Sequence, residues 1–166
     1  MAECEKGKMK INELYNELVS WGSAFETWTE EDRTCDTCKA GNMDEEIKGI
    51  AVSMFATPDV IRKCAEIGAN LLIVHEPTYY NHWDDTNPFD IGKEKQRLIE
   101  ENNLTIFRFH DHAHGMGPDL IYQGELKYLG LKVRPLVQKN FAITRVVLEE
   151  EMTARDNFLI IKNGNI

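Results

Sequence analysis

All five histidines of this 166-residue chain lie between positions 75 and 114, and three of them alternate in the run His110-Asp-His-Ala-His114. His75 and Glu76 follow one apolar β-type stretch, residues 70–74, and His110 follows a second, residues 104–109. Imidazole and carboxylate groups bind zinc, manganese, iron and nickel, and strand ends are rigid supports for such ligands. The residue types and their placement therefore predict a metal site.

The segment before His75 has the pattern of a strand, a helix and a second strand. Residues 48–55 form an apolar run that predicts a buried strand. A helix is expected to begin after Thr57, which is a fair N-cap followed by a proline, and to end at Gly68. Residues 69–74 predict the next strand, so 48–74 has the form of the βαβ unit from which parallel sheets are built.

A second crossover of the same kind leads to His110. Residues 78–89 are aromatic and acidic without periodicity and predict a loop that covers the end of the sheet; a charged helix at 92–102 and a strand at 104–109 follow. In open parallel sheets, ligands bind outside the carboxyl ends of the strands. Both histidine groups follow such ends, so we expect the two loops to meet in one crevice.

The remaining segments complete an α/β fold with a mixed, largely parallel sheet built from βαβ units with flanking helices. Apolar residues at helical spacing predict helices, and short apolar runs predict strands. The predicted elements are a helix at 10–21, a polar loop at 21–43, a helix at 119–129 ended by Gly130, and strands at 132–137, 142–149 and 158–161.

Composition limits the classes of function. The chain is 42% hydrophobic and 28% charged, as in an ordinary globular protein, and its length suits one domain, residues 1–166. No apolar run reaches the roughly 18 residues of a membrane span, and no signal peptide is evident, so we expect a cytoplasmic location and no membrane partner. The net charge of −9 disfavours nucleic-acid binding and suits a small-molecule substrate.

Cysteine usage predicts no structural zinc site. Cys35 and Cys38 form a single CxxC without the second pair that such a site needs, and they are interpreted as incidental thiols rather than metal or redox groups. Cys64 falls inside a helical pattern and is expected in the core.

Residues Gly68 to Pro77, which read Gly-Ala-Asn-Leu-Leu-Ile-Val-His-Glu-Pro, resemble a motif ending His-His-Pro in the Nif-three-like dinuclear metal-centre proteins, also described as GTP cyclohydrolase-like homologues. His110 to His114 is similar to that family's His-Thr-Asn-Leu-Asp motif, and Leu129 to Leu131 matches its Leu-Gly-Leu. Asp36 to Gly41 resembles its entry loop. The resemblance covers roughly residues 10 to 131.

The sequence departs from this family pattern at three places. Glu76 stands where the family has its second histidine, and His114 stands where it has an aspartate; both changes keep a metal ligand. The family's later histidine and glutamate have no counterpart, because no histidine follows His114. The resemblance thus implies either a shortened member without the C-terminal part or a fragment whose site is incomplete. A shortened member is expected to bind metal more weakly or to have its ligands completed by another subunit. The resemblance also implies a homo-oligomer, such as a hexamer or a larger ring.

Residues and resemblance together predict a metal site formed by His75, Glu76, His110, Asp111 and His114. It would hold one or two divalent ions of zinc, manganese or iron, and Glu76 is also the candidate general base. If the strand continues past His110, all three alternating histidines point one way. If the chain turns at Asp111, that carboxylate can enter the site.

Three nearby residues have two interpretations each. His112 is a ligand or a supporting imidazole, and His82 binds a flat substrate or packs in a lid. Arg108 recognises phosphate or, more simply, faces the surface.

The predicted function is that of a metal-dependent hydrolase acting on a phosphoester or nucleotide-like small molecule. The alternative is a non-catalytic metal-binding protein with an interaction or regulatory role.

Overall fold

The computed structural model describes residues 8–22, 34–84, 89–115, 119–130, 137–140 and 143–145. Its helices and strands, in chain order, are α1 Ile11–Gly22, β1 Cys38–Ala40, β2 Ile50–Ser53, α2 Pro58–Glu66, β3 Leu71–Val74, α3 Asp90–Glu101, β4 Thr105–Arg108, α4 Asp111–Gly115, α5 Leu120–Tyr128, β5 Val137–Asn140 and β6 Ile143–Arg145.

Four of the strands form one mixed sheet in the order β1-β4-β3-β2. β2, β3 and β4 are parallel neighbours, joined by α2 and α3, whereas β1 pairs with β4 in the antiparallel sense. Both predicted βαβ units are therefore confirmed, as is the α/β class with a largely parallel sheet and flanking helices.

Local signals set the limits of α2 where the sequence predicted them. The hydroxyl of Thr57 accepts a hydrogen bond from the backbone N–H of Val60 at 3.2 Å, and Pro58 occupies the first turn. Gly68 then adopts a φ of +71°, which favours glycine and lets the chain leave the helix towards β3.

The core lies on both faces of β3 and β4, because alternate residues of a strand point to opposite sides. Leu72 and Ile106 pack with residues of α2 and α3, including Cys64, which is buried as predicted. Leu71 and Phe107 pack on the other face against Ile11 of α1. The two central strands thus provide a rigid platform whose carboxyl ends lead into the histidine loops.

The prediction that residues 48–55 form a buried strand is wrong in one respect. β2 is present, but it lies at the sheet edge, and Ile50 and Val52 are 47% and 76% exposed. Their face of the sheet is the one that α1 covers over β3 and β4. An apolar run cannot by itself distinguish a central strand from an edge strand, since the difference lies in what packs on it.

The prediction that residues 21–43 form only a loop is also wrong. Within the described part of that segment, Cys38 and Ala40 pair with Phe107 and Ile106 of β4. The three residues of β1 are too few to give a periodicity signal, so only the free edge of β4 makes them a strand.

The C-terminal elements agree with the sequence where the structure describes them. α5 ends before Gly130, whose φ is +66°, as expected of a helix stop. β5 and β6 form a separate two-stranded antiparallel sheet; β6 lies within the predicted strand 142–149, whereas β5 shares only Val137 with the predicted strand 132–137. The predicted strand at 158–161 lies outside the described residues. None of the helices in the described ranges combines the length and the apolar character that a membrane crossing requires.

Candidate metal centre

The loops after β3 and β4 meet at one edge of the sheet, as the sequence predicted. Val74 and Arg108, the last residues of these strands, are register partners, so His75 and His110 emerge side by side. The ring centroid of His75 lies 4.5 Å from that of His110 and 5.0 Å from that of His114. One ring nitrogen from each of the three histidines lies within 4.8 Å of the others. These residues are called the three-histidine group below.

The short helix α4 brings His110 and His114 together. Of the two alternatives that the sequence left open, the structure has the turn at Asp111, because α4 begins there. Residues four apart lie on one side of a helical turn, and the N–H of His114 donates to the carbonyl of His110 at 3.0 Å. His112 lies on the opposite side, is buried, and contacts Asp36.

Asp36 anchors the start of α4, and sequence reasoning missed this role. The fully buried carboxylate accepts hydrogen bonds from the backbone N–H groups of His110, Asp111 and His112 at 2.6, 3.0 and 2.8 Å. It also accepts one from Nδ1 of His112 at 2.7 Å. Burial alone would raise the pKa of Asp36, but these hydrogen bonds outweigh it and lower the pKa below its usual value.

Nδ1 of each ring in the three-histidine group is held by an acceptor. Nδ1 of His75 donates to the carbonyl of Phe109 at 3.2 Å, and Nδ1 of His114 donates to Asp119 at 2.6 Å. Nδ1 of His110 donates to Asp111 at 2.9 Å. Acceptors of this kind fix the tautomer and the orientation of histidines that ligate metals. In the tautomer that these acceptors favour, Nε2 of each ring carries the lone pair.

The Nε2 atoms of His75 and His114 are spaced as two ligands of one cation would be. Nε2 of His75 and Nε2 of His114 are 3.2 Å apart. Nitrogens bound at about 2.0–2.1 Å to one tetrahedral zinc lie about 3.3 Å apart, so the spacing fits a shared ion. Burial and the neighbouring His110 ring lower the pKa of His75, which keeps its ring neutral. The donor set thus fits a divalent metal.

The other two predicted ligands lie beside this group rather than in it. Asp111 contacts the group through Nδ1 of His110 and, with Cys35 and His82, forms a second cluster of ligating atoms. Glu76 is about one-third exposed, and its carboxylate lies 3.9 Å from Nη2 of Arg108.

The interpretation of Arg108 as a surface residue is wrong, because its side chain is only 1% exposed. Its Nε donates to the carbonyl of His75 at 2.7 Å, and its Nη1 donates to the carbonyl of His82. The guanidinium therefore ties the loop after β3 to the end of β4. A strand residue faces inward when a loop folds over the sheet end, and strand periodicity does not report this.

The loop after His75 is folded where the structure describes it, at residues 78–84. Asp84, at a φ of +54°, accepts hydrogen bonds from the backbone N–H groups of Thr78, Tyr79 and Tyr80 at 2.6, 2.8 and 3.3 Å. The bond from Arg108 holds this loop near the sheet end, in agreement with the predicted cover. Residues 85–88 of that prediction lie outside the described residues.

The fold is shared with several solved structures. Reduced HcgD from Methanocaldococcus jannaschii is 19% identical with a TM-score of 0.57, over 77% of this chain and 50% of that chain. Staphylococcus aureus protein SA1388 is 21% identical with a TM-score of 0.57, over 75% and 34%. A Bacillus cereus protein related to NIF3 is 18% identical with a TM-score of 0.55, over 75% and 34%.

This chain therefore spans half the length of the first of these proteins and about a third of the other two. A comparison with curated protein sequences finds no match. The sequence profile of Duf34/NIF3 (NGG1p interacting factor 3), in contrast, matches residues 9–164. With nearly the whole chain matched, and with the resemblance of the His75 and His110 motifs confirmed, the chain belongs to the Duf34/NIF3 family.

Proposed function

We propose that this chain binds a divalent metal through His75, His110 and His114 and acts as a metal-dependent hydrolase on a phosphoester or nucleotide-like small molecule. The observation that carries the metal proposal is the meeting of three imidazoles: each Nδ1 is held by an acceptor, and Nε2 of His75 lies 3.2 Å from Nε2 of His114. The lone pairs of two nitrogens at this distance repel each other unless a proton or a cation lies between them.

The hydrolase part of the proposal follows from the number of protein ligands. Three histidines leave coordination positions open, as in catalytic rather than structural zinc sites. A metal bound there would supply Lewis acidity at the bond under attack. We assign the role of general base to Glu76, whose partly exposed carboxylate could take a proton from an attacking water. Arg108 holds the loops, since its Nε and Nη1 are directed at backbone carbonyls rather than at a substrate.

The same open positions support a homo-oligomer that completes the site from another subunit. Sedimentation of the metal-loaded protein tests this: a single species of monomer mass at all concentrations contradicts it.

The test of function loads purified protein with manganese or zinc and screens phosphoesters and nucleotides. Wild type is expected to bind metal and turn over a substrate, whereas the double variant His75→Ala, His114→Ala is expected to lose the turnover and the metal held by the three-histidine group. A matched double variant, Asp90→Ala with Lys93→Ala, removes an exposed ion pair from α3 and should behave as wild type. Circular dichroism verifies that all three proteins are folded.

Two results separate the parts of the proposal. Metal bound by wild type without turnover above the double variant removes the hydrolase and leaves the non-catalytic metal-binding alternative. Equal metal content in wild type and the double variant removes the metal site itself.

A further inference from the structure

A second cluster of ligating atoms lies next to the three-histidine group but has different chemistry. Cys35 precedes β1, His82 belongs to the loop after β3, and Asp111 is the first residue of α4. The sulfur, one ring nitrogen and one carboxylate oxygen of these residues lie within 4.8 Å of one another. Thiolate, imidazole and carboxylate are the three protein ligands of zinc.

The protein holds two of these side chains and the backbone of the third in place without a metal. Oδ2 of Asp111 accepts hydrogen bonds from the backbone N–H of Cys35 at 2.7 Å and from Thr34 Oγ1 at 3.0 Å. Oδ1 accepts only the bond from His110 among the hydrogen bonds that the structure gives it, and so keeps a lone pair. The carbonyl of His82 is bound by the buried Arg108. The ring of His82 is exposed and has room to close on an ion.

The charges around Cys35 favour a cation. The thiol is 1% exposed and donates a weak hydrogen bond to Oδ1 of Asp36 at 3.7 Å. Two carboxylates flank Cys35, because Asp36 accepts this bond from the thiol and Asp111 accepts one from the backbone N–H of Cys35 at 2.7 Å. A divalent ion bound there would compensate negative charge of these carboxylates.

We propose that Cys35, His82 and Asp111 form a second cation site, selective for a thiophilic divalent ion of the zinc class. On binding, the Cys35 thiol releases its proton to solvent, and its sulfur lone pair forms the bond to the metal. Sulfur gives this site a stronger preference for zinc over manganese than nitrogen ligands alone would give. The site shares no ligand with the three-histidine group that supports the proposed function, although Asp111 is hydrogen-bonded to His110 and the ring of His82 lies 5.6 Å from that of His110.

Cobalt(II) titration of the full chain, after dialysis against a chelator, tests the proposal, because thiolate bound to cobalt gives a charge-transfer band in the near ultraviolet. Wild type is expected to show the band and to bind two equivalents. Cys35→Ser should lose the band and bind one equivalent of cobalt fewer. Cys38→Ser, which changes an exposed thiol three residues away, should keep both.

Two further variants keep the test independent of folding and of the first site. His82→Ala alters an exposed loop side chain. It should lower the affinity for the cobalt ion that gives the band by about tenfold or more. The double variant His75→Ala, His114→Ala should keep the band and lose only the equivalent of cobalt bound by the three-histidine group. Absence of the band in wild type, its persistence in Cys35→Ser, or its loss in Cys38→Ser overturns the proposal. A wild type that binds one equivalent with the band supports this site and refutes the three-histidine site.

Discussion

The substitution Asp36→Asn removes the anchor of α4 without changing the size of the side chain. The buried carboxylate accepts four N–H donors, two at each oxygen: Oδ1 from the backbone of His110 and Asp111, and Oδ2 from the backbone and ring of His112. In asparagine one oxygen becomes an NH₂ group, which cannot accept. Whichever oxygen is replaced, two of the four donors lose their acceptor.

The expected cost follows from this count. A buried donor without a partner costs about 1–3 kcal/mol, so two give a loss of about 2–6 kcal/mol in the free energy of unfolding. That is a large share of the roughly 5–15 kcal/mol that stabilises a typical domain. Because α4 carries His110 and His114, we also expect metal affinity to fall about 10–100-fold, as when other residues that orient ligands are changed.

Urea unfolding followed by circular dichroism measures the free energy, and competition with a fluorescent chelator measures metal affinity. Asp44→Asn is the matched control, because Asp44 is exposed and accepts one side-chain hydrogen bond, from Asn12 at 3.0 Å. Its effect should stay within about 0.5 kcal/mol. If Asp36→Asn were no more destabilising than this control, Asp36 would not be the anchor.

The stability that Asp36 provides should also decrease at acidic pH. The folded pKa of Asp36 lies below its ordinary value of 3.8, so the stabilisation by its ionised form is complete above that pH. It is lost as the pH falls from 3.8 through the lower folded pKa. The difference in stability between wild type and Asp36→Asn should therefore shrink in that acidic window. A difference that grows on acidification would contradict the reasoning.

Three other substitutions test separate parts of the structure. Asp119→Asn removes the carboxylate that holds Nδ1 of His114, so metal affinity should fall about 10–100-fold in a chelator competition, and an unchanged affinity would contradict the carboxylate's role. Gly22→Ala places a Cβ 2.4 Å from that of His112 and should cost about 1–3 kcal/mol in urea unfolding. Gly124→Ala, in α5 with open space around it, should instead stabilise the protein by about 0.5–1 kcal/mol. If both substitutions changed the free energy of unfolding in the same direction, the close packing of Gly22 against His112 would be contradicted.

Much of the fold could be read from local patterns. The apolar runs of β3 and β4, the proline-led start of α2 and the stop at Gly68 depend on neighbours in the sequence, and all were predicted. The position of His75 and His110 after parallel strands followed from that order, because such strands end at one edge of the sheet.

The features that the sequence missed depend on residues far apart in the chain. β1 is a strand only because its residues meet the edge of β4, and β2 is exposed because it lies at the other edge. Arg108 is buried because a loop folds over it, which no periodicity within β4 could indicate.

Residue types and spacing alone thus determined that this chain would build an α/β sheet with histidines at its carboxyl edge. Only the tertiary structure decided which of them meet. The turn at Asp111 depends on hydrogen bonds to Asp36, 74 to 76 residues away in the sequence, and those bonds put His110 and His114 on one side and His112 on the other. The physical reason is that a buried carboxylate satisfies whichever N–H groups the packed fold brings to it, and no pattern of neighbouring residues records that choice.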